Sequence, residues 1–222
     1  MSEGELFAIA GLTLRVGALA TLGVMPFAIG VAWCLVRLEF PGKTLVRALV
    51  GLPMVLPPVA VGLALLWLLG RRGPLGAIWE TLGVDLAFSA WAVGLAAALV
   101  GFPLAARACE QAFAAVDRRY ETVAQTLGVT PFATFWRISL PLARRGVLYG
   151  ALLCFTRGIG EFGATAVVAG IIPGRTETLS LGIWSRVQLG EDGSALALCA
   201  VSFAIGLATM WIGERWLARE TP

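Results

Sequence analysis

The sequence has 222 residues but no histidine, and only 14% of its residues are charged. Histidine is the commonest metal ligand in proteins and a frequent general base, so its absence argues against most metal-dependent and acid–base enzymes. Soluble domains carry about 25% charged residues. This chain has too few charges to cover a globular surface, and the composition therefore excludes an ordinary water-soluble domain.

Cysteine is also scarce. The four cysteines lie far apart, each within an apolar segment: Cys34, Cys109, Cys154 and Cys199. No two of them have the C-x-x-C spacing that is typical of zinc and redox sites. We therefore expect buried thiols, with no metal site and no disulfide.

Apolar residues, in contrast, make up 58% of the chain, and the mean hydropathy is +0.83. Five apolar runs cover about residues 6–36, 45–69, 86–106, 147–172 and 195–217. A helix needs about 20 apolar residues to cross a bilayer, whereas a barrel strand needs about 10. These runs predict an all-α integral membrane protein in which five transmembrane helices form a single domain over residues 1–222.

The basic residues fall unequally on the two sides of these runs. One set of connections holds Arg37, Lys43, Arg47, Arg107, Arg118, Arg119, Arg137, Arg144, Arg145, Arg215 and Arg219. The other set holds Arg71, Arg72, Arg175 and Arg186. The positive-inside rule assigns the first set to the cytoplasm. With five crossings, the N-terminus is then outside and the C-terminus cytoplasmic.

The longest connection, with the sequence VDRRYETVAQTLGVTPFATFWRISLPLARR, begins at residue 116. Four of its residues share one helical face: Tyr120, Val123, Ala124 and Leu127. Gly128 is expected to end this helix, and Thr130 with Pro131 to start another. Pro141 is expected to mark the start of the fourth membrane helix. Such a short amphipathic helix either rests on the membrane surface or docks into a partner.

This segment resembles the cytoplasmic signature of ABC importer permeases, E-A-A-x-x-x-G followed, after nine residues, by I-x-L-P. Four residues stand at matching positions: Gly128, Ile138, Leu140 and Pro141. The signature glutamate falls on Thr122, and the acid of this chain, Glu121, comes one residue earlier. In that family the element is a coupling helix that sits in a groove of a separate ATPase subunit.

The resemblance implies a coupling segment over about residues 116–141. Its expected contact residues are Arg118, Arg119, Tyr120, Glu121, Val123, Ala124, Leu127, Gly128 and Pro141. The apolar residues would form a ridge that fills a groove, and the two arginines would pair with acids of the partner. The chain itself is then no enzyme and binds no cofactor, because ATP and Mg²⁺ belong to the ATPase.

Two further stretches resemble the permeases of molybdate and tungstate importers: LPMVLPPVAVGLALL at 52–66 and TRGIGEFGATAVVAGIIPGRTETLSL at 156–181. Sulfate and thiosulfate importers share weaker versions, so a permease of that type is an alternative; an ATP-independent anion channel or transporter is another. The resemblance implies a homodimer in a prokaryotic cytoplasmic membrane that works by alternating access. It further implies two ATPase subunits, an extracytoplasmic oxyanion-binding protein, surrounding lipid and no nucleic acid.

The pathway is expected to involve Pro57, Pro58, Arg157, Glu161 and Thr165. The double proline interrupts the second run, either near a gate or as a kink that helps helices pack. Arg157 and Glu161 lie near the middle of the fourth run, where an ionisable residue costs at least about 2.5–3.5 kcal/mol. They either meet the passing oxyanion, with Thr165 as a neutral donor, or form a static ion pair.

The fourth run also contains the letters of a dinucleotide fingerprint, G-x-G-x-x-G, at Gly158, Gly160 and Gly163. A true fingerprint follows a strand and opens a helix. Here the glycines lie within an apolar run, so we expect close helix packing or flexing of the span instead.

Overall fold

A computed structural model describes residues 2–71, 73–81, 83 and 85–218. Within these ranges all regular structure is helical. The α-helices are α1 (Glu3–Arg37), α2 (Lys43–Val55), α3 (Pro58–Leu69), α4 (Gly76–Thr81), α5 (Ala90–Ala114), α6 (Arg118–Thr126), α7 (Pro131–Thr134), α8 (Leu140–Ile159), α9 (Gly163–Val168), α10 (Leu179–Leu189) and α11 (Asp192–Ala218). A π-helix, Phe135–Ser139, joins α7 to α8.

Among the described residues, four helices are long and apolar enough to cross a membrane: α1, α5, the composite Pro131–Ile159 and α11. Helices α2 and α3 add a fifth candidate span, which is bent by 108° at the break between them. The prediction of an all-α membrane protein is confirmed, and the four or five candidate spans are consistent with the five predicted. The 35 residues of α1 extend for ~50 Å, longer than the ~30 Å hydrocarbon core.

Contacts between helices give their directions. Gly94, near the start of α5, lies beside Val16 of α1. Just beyond the end of α5, Arg118 donates to the carbonyl of Val36, near the end of α1 (2.7 Å). Helices α1 and α5 therefore run parallel, and the chain returns between them through α2 and α3.

The remaining long helices alternate in direction. Gly146 at the start of α8 packs against Ala112 near the end of α5, and Gly158 at its far end packs near Ala97. Helix α8 is therefore antiparallel to α5. Helix α11 then returns along α8, because Leu198 near its start clusters with Ile9 near the start of α1, whereas Gly213 near its end lies against Leu152 of α8. The described chain thus makes five passes, and residues 2 and 218 lie at opposite ends of the bundle.

One end of the bundle, here called the basic end, holds the end of α1, the end of α5, α6, α7 and the start of α8. Arg47 of α2 pairs with Glu110 of α5 there, at 2.7 Å between Nε and Oε1. The opposite end, here called the acidic end, holds the start of α1, the start of α5 and the end of α8. An exposed pair between Arg71 and Asp85, at 2.8 Å, also lies there. The hydrogen bonds and charge of the Arg71 guanidinium lower the pKa of the Asp85 carboxyl.

The core is built from small residues. Ala28, Ala105, Cys109 and Cys154 are buried together where α1, α5 and α8 meet. Small side chains let helix backbones approach closely, which is the usual way that helices pack in lipid. The expectation that every thiol is buried holds for Cys109 and Cys154 but is wrong for Cys34, which is half-buried, and for Cys199, which is exposed on α11.

Two of the predicted runs differ from the helices. The third run is predicted over 86–106, but α5 extends from Ala90 to Ala114. It begins at Ala90 because the Ser89 hydroxyl caps its start by accepting from Ala92 N (3.4 Å). The fourth was expected over 147–172, but the helical composite begins at Pro131 and stops at Ile159. Hydropathy misses its start because arginines occupy helical turns at the basic end.

Candidate functional sites

The short helix α6 begins and ends as its sequence predicts. Asp117 caps its first turn, and its carboxylate accepts from Arg119 N at 2.9 Å. At the other end Gly128 adopts φ +82°, a left-handed conformation that favours glycine. Gly128 N donates to the carbonyl of Gln125 and Val129 N to that of Ala124, both at 3.0 Å. This paired closure is a Schellman motif, so the predicted stop at Gly128 is confirmed.

The turn after α6 leads into a second helical stretch. Thr130 caps α7 by accepting from Ala133 N (3.3 Å), and Pro131 occupies its first position, as predicted. The π-helix follows, in which Leu140 N bonds to the carbonyl of Phe135. Pro141 therefore lies inside a continuous helical stretch and does not mark its start. A proline has no N–H to donate, and its ring crowds the carbonyl four residues earlier. The π-helix just before Pro141 is wider than an α-helix and gives the ring more room.

The outward face of this segment is apolar. Tyr120, Val123 and Leu127 are exposed, whereas Ala124 is buried against the bundle. The ridge that the sequence predicts therefore has three members, and Ala124, at the edge of that face, is turned toward the protein. Phe132 and Trp136 are also exposed, with ring centroids 6.2 Å apart. The one sequence signal for these two aromatics is their four-residue spacing, which places them on one helical face.

Two other predicted contact residues bond within the chain. Arg118, although exposed, donates to the end of α1, as described above. Glu121 pairs with Arg37 at 2.9 Å and accepts from the Ser139 hydroxyl at 2.7 Å. Arg119 is exposed on the first turn of α6. Of the three charged residues, Glu121 is therefore turned toward the protein.

Two breaks in the helices lie against each other. The first separates α2 from α3 at Leu56 and Pro57, where the sequence predicts an interruption. The second separates α8 from α9. A methyl group added at Gly62 of α3 would lie 2.5 Å from the Ala164 carbonyl oxygen of α9, and one at Gly163 would lie 2.8 Å from Pro58 Cβ. Glycine is required at Gly62 because the backbones of the two short helices touch there, and at Gly163 because it lies against the rigid ring of Pro58.

The predicted charged pair lies at the second break. Arg157 Nη1 is 2.8 Å from Glu161 Oε2, and the side chains are 36% and 2% exposed, respectively. The other carboxylate oxygen of Glu161 accepts from Ala164 N, in the first turn of α9, at 2.8 Å. Glu161 therefore holds the start of α9 as well as Arg157. Thr165, one residue further, is buried.

The position of this pair corrects the expectation that it straddles the middle of a span. Helix α8 ends at Ile159, so Glu161 lies beyond the helix that carries Arg157. Gly158 lies near Ala97, seven residues into α5 and so ~10 Å from its start. The pair therefore lies at the end of α8, on the acidic-end side of the centre of α5. Gly160 ends α8 and Gly163 opens α9, so the G-x-G-x-x-G letters mark a helix break.

Comparisons with known proteins agree with this architecture. The family model described as "Binding-protein-dependent transport system inner membrane component" matches residues 24–219. The molybdenum transport system permease protein ModB of Escherichia coli (strain K12) is 44% identical over 211 residues, which are 94% of this chain and 91% of that protein. Sulfate permease 2, chloroplastic, of Chlamydomonas reinhardtii is 37% identical over 181 residues, which are 82% of this chain and 49% of that protein.

A solved structure shares the fold. It is that of the MetNI methionine ABC transporter in an inward facing conformation, with a TM-score of 0.74 at 16% identity and full coverage of both chains. Because the family model spans most of the sequence, this chain belongs to the inner membrane components of binding-protein-dependent transport systems.

Proposed function

We propose that this chain is the membrane-spanning subunit of an ATP-driven importer of molybdate, with tungstate as a second substrate. The observation that carries the proposal is the 44% identity to a molybdenum permease along 94% of the chain. The sulfate permease match is lower in identity and covers less of the chain, which makes a sulfate importer the weaker alternative.

The exposed ridge of Tyr120, Val123 and Leu127 docks into a groove of a separate ATPase subunit. Three features support this. The ridge is apolar and exposed, it lies at the basic end, and α6 is fixed at both ends by capping bonds. An amphipathic helix presented in this way is a common form of groove recognition. ATP and Mg²⁺ bind to that subunit, and this chain hydrolyses nothing itself.

The basic end faces the cytoplasm and the acidic end faces outward, by the positive-inside rule. The N-terminus is then outside the cytoplasmic membrane and the C-terminus inside. Two copies of the chain form the pathway and carry two ATPase subunits. An extracytoplasmic oxyanion-binding protein delivers its cargo to the acidic end, near the outer break between α8 and α9.

The charged pair at that break gives the pathway its chemistry. About a third of the Arg157 side chain is exposed, so a dianion can reach it, while the buried Glu161 orients it from behind. The carboxylate offsets part of the attraction between Arg157 and the anion, which suits a pathway that must release what it admits. The first break, at Pro57 and Pro58, lies beside the pair because Pro58 packs against Gly163 of α9, and movement between α3 and α9 opens or closes the route there.

Uptake by the reconstituted complex of permease, ATPase and binding protein tests the substrate. Excess tungstate should compete with labelled molybdate, and sulfate at the same concentration should not. Equal competition by sulfate and tungstate would favour the sulfate importer instead.

A further inference from the structure

One carboxylate at the basic end joins three helical elements. Glu121 lies on α6, Arg37 is the last residue of α1, and Ser139 is the last residue of the π-helix. Arg37 Nε donates to Glu121 at 2.9 Å, and the Ser139 hydroxyl donates to it at 2.7 Å. These three residues, here called the Glu121 junction, connect the candidate coupling helix to α1 and to the base of α8.

The junction is shielded from solvent. Only 8% of the Arg37 side chain and 13% of the Glu121 side chain are exposed, and Ser139 is buried. A second nitrogen of Arg37 donates to the Val116 carbonyl at 3.0 Å. Desolvating such a pair offsets much of its attraction, so its net contribution to stability is small. What the pair does impose is a fixed geometry between the elements that it joins.

The two faces of α6 have different partners. Tyr120, Val123 and Leu127 point away from the protein, while Glu121 and Ala124 point toward it. A helix of nine residues is too short to hold its shape in isolation. It moves as a rigid piece only while its inner face is attached. The junction supplies the ionic part of that attachment, and the Trp33–Phe135 contact, with centroids 5.6 Å apart, joins α1 to the π-helix beside it.

We propose that Glu121 is a positioning residue, which transmits the displacement of α6 by the ATPase to α1 and α8 through Arg37 and Ser139. This inference rests on the proposed function. Without the junction, α6 still presents its outer ridge and still docks. When the ATPase displaces α6, α1 and α8 then move less, so ATP hydrolysis continues with less transport.

Glu121→Gln tests this, because it removes the charge but keeps the size of the side chain. Glu110→Gln is the matched control: Glu110 is 14% exposed and pairs with Arg47 at the same end, but it joins α5 to α2. The measurement is molybdate transported per ATP hydrolysed in the reconstituted complex. Glu121→Gln should lower this ratio about five- to tenfold with ATPase still bound, and Glu110→Gln should keep the wild-type ratio.

Two further variants make the test specific. Arg37→Gln should lower the ratio as Glu121→Gln does, and the double variant should fall no further, because both changes remove one interaction. Ser139→Ala keeps the ion pair and should lower the molybdate transported per ATP by less. If the Glu121→Gln complex does not assemble, Ser139→Ala becomes the test variant.

Three results would overturn the inference. They are a wild-type ratio in both Glu121→Gln and Ser139→Ala, an equal fall in Glu110→Gln, and loss of the ATPase from a folded Ser139→Ala complex. Failure of the proposed function is distinct from these, because the wild-type complex itself would then show no ATP-dependent uptake.

Discussion

Replacing Gly128 with valine should uncouple the transporter while the protein stays in the membrane. Gly128 has φ +82°, and no atom lies within 4 Å of the position that a Cβ would occupy. The substitution therefore acts through backbone strain and meets no steric clash. It weakens the Schellman motif that ends α6. That motif sets the position of Leu127 on the ridge.

The magnitude follows from two ways in which the chain can respond. Keeping the left-handed conformation costs a residue with a Cβ about 1–2 kcal/mol. Leaving it gives up the bonds of Gly128 N and Val129 N, each with a net value of about 0.5–1.5 kcal/mol. Either response costs about 1–3 kcal/mol, which shifts the equilibrium between the docking conformation and frayed conformations by a factor of roughly 5 to 150.

The assay is ATP-driven molybdate uptake by the reconstituted complex, with the amount of permease in the membrane measured in parallel. Gly42→Val is the control, since Gly42 has φ +85°, an equally open Cβ position and a place at the basic end, but caps α2. Uptake should fall with Gly128→Val and much less with Gly42→Val. Undiminished uptake in Gly128→Val, or an equal loss in both variants, would refute the reasoning.

Two other predictions concern the breaks. Arg157→Ala should reduce uptake at least about tenfold, the equivalent of ~1.4 kcal/mol, while the complex still assembles on a sizing column. Loss of assembly would mean that the pair with Glu161 is purely structural. Gly62→Val should separate α3 from α9 and destabilise the protein by about 1–3 kcal/mol, seen as a lower melting temperature. Gly30→Val, where a Cβ meets no atom within 4 Å, should leave the melting temperature nearly unchanged.

Local chemistry accounts for what the sequence predicts well. The stop at Gly128 and the start at Thr130 and Pro131 depend on residues within one helical turn of each other. The break at Pro57 follows in the same way, because proline lacks the donor that a helix needs. The apolar runs identify the membrane class because their length and hydropathy need no tertiary information.

Tertiary contacts account for what the sequence does not predict. The apolar letters continue through Ile172, yet α8 stops at Ile159, and the short helix α9 is packed against Gly62 of α3. Helix α10 lies in a stretch that hydropathy leaves between two runs. Glu121 finds its partner Arg37 84 positions earlier in the chain. No periodicity indicates such a pairing, so its location on the inner face of α6 is visible only in the folded chain.

The most direct test of the account is uptake into proteoliposomes that contain this chain, its ATPase and its binding protein, with and without ATP on the side of the basic end. Molybdate should accumulate only when ATP is present, and accumulation should stop when the ATPase is omitted. Equal molybdate flux without ATP or without the ATPase would contradict it and would identify the chain as a channel or a secondary transporter.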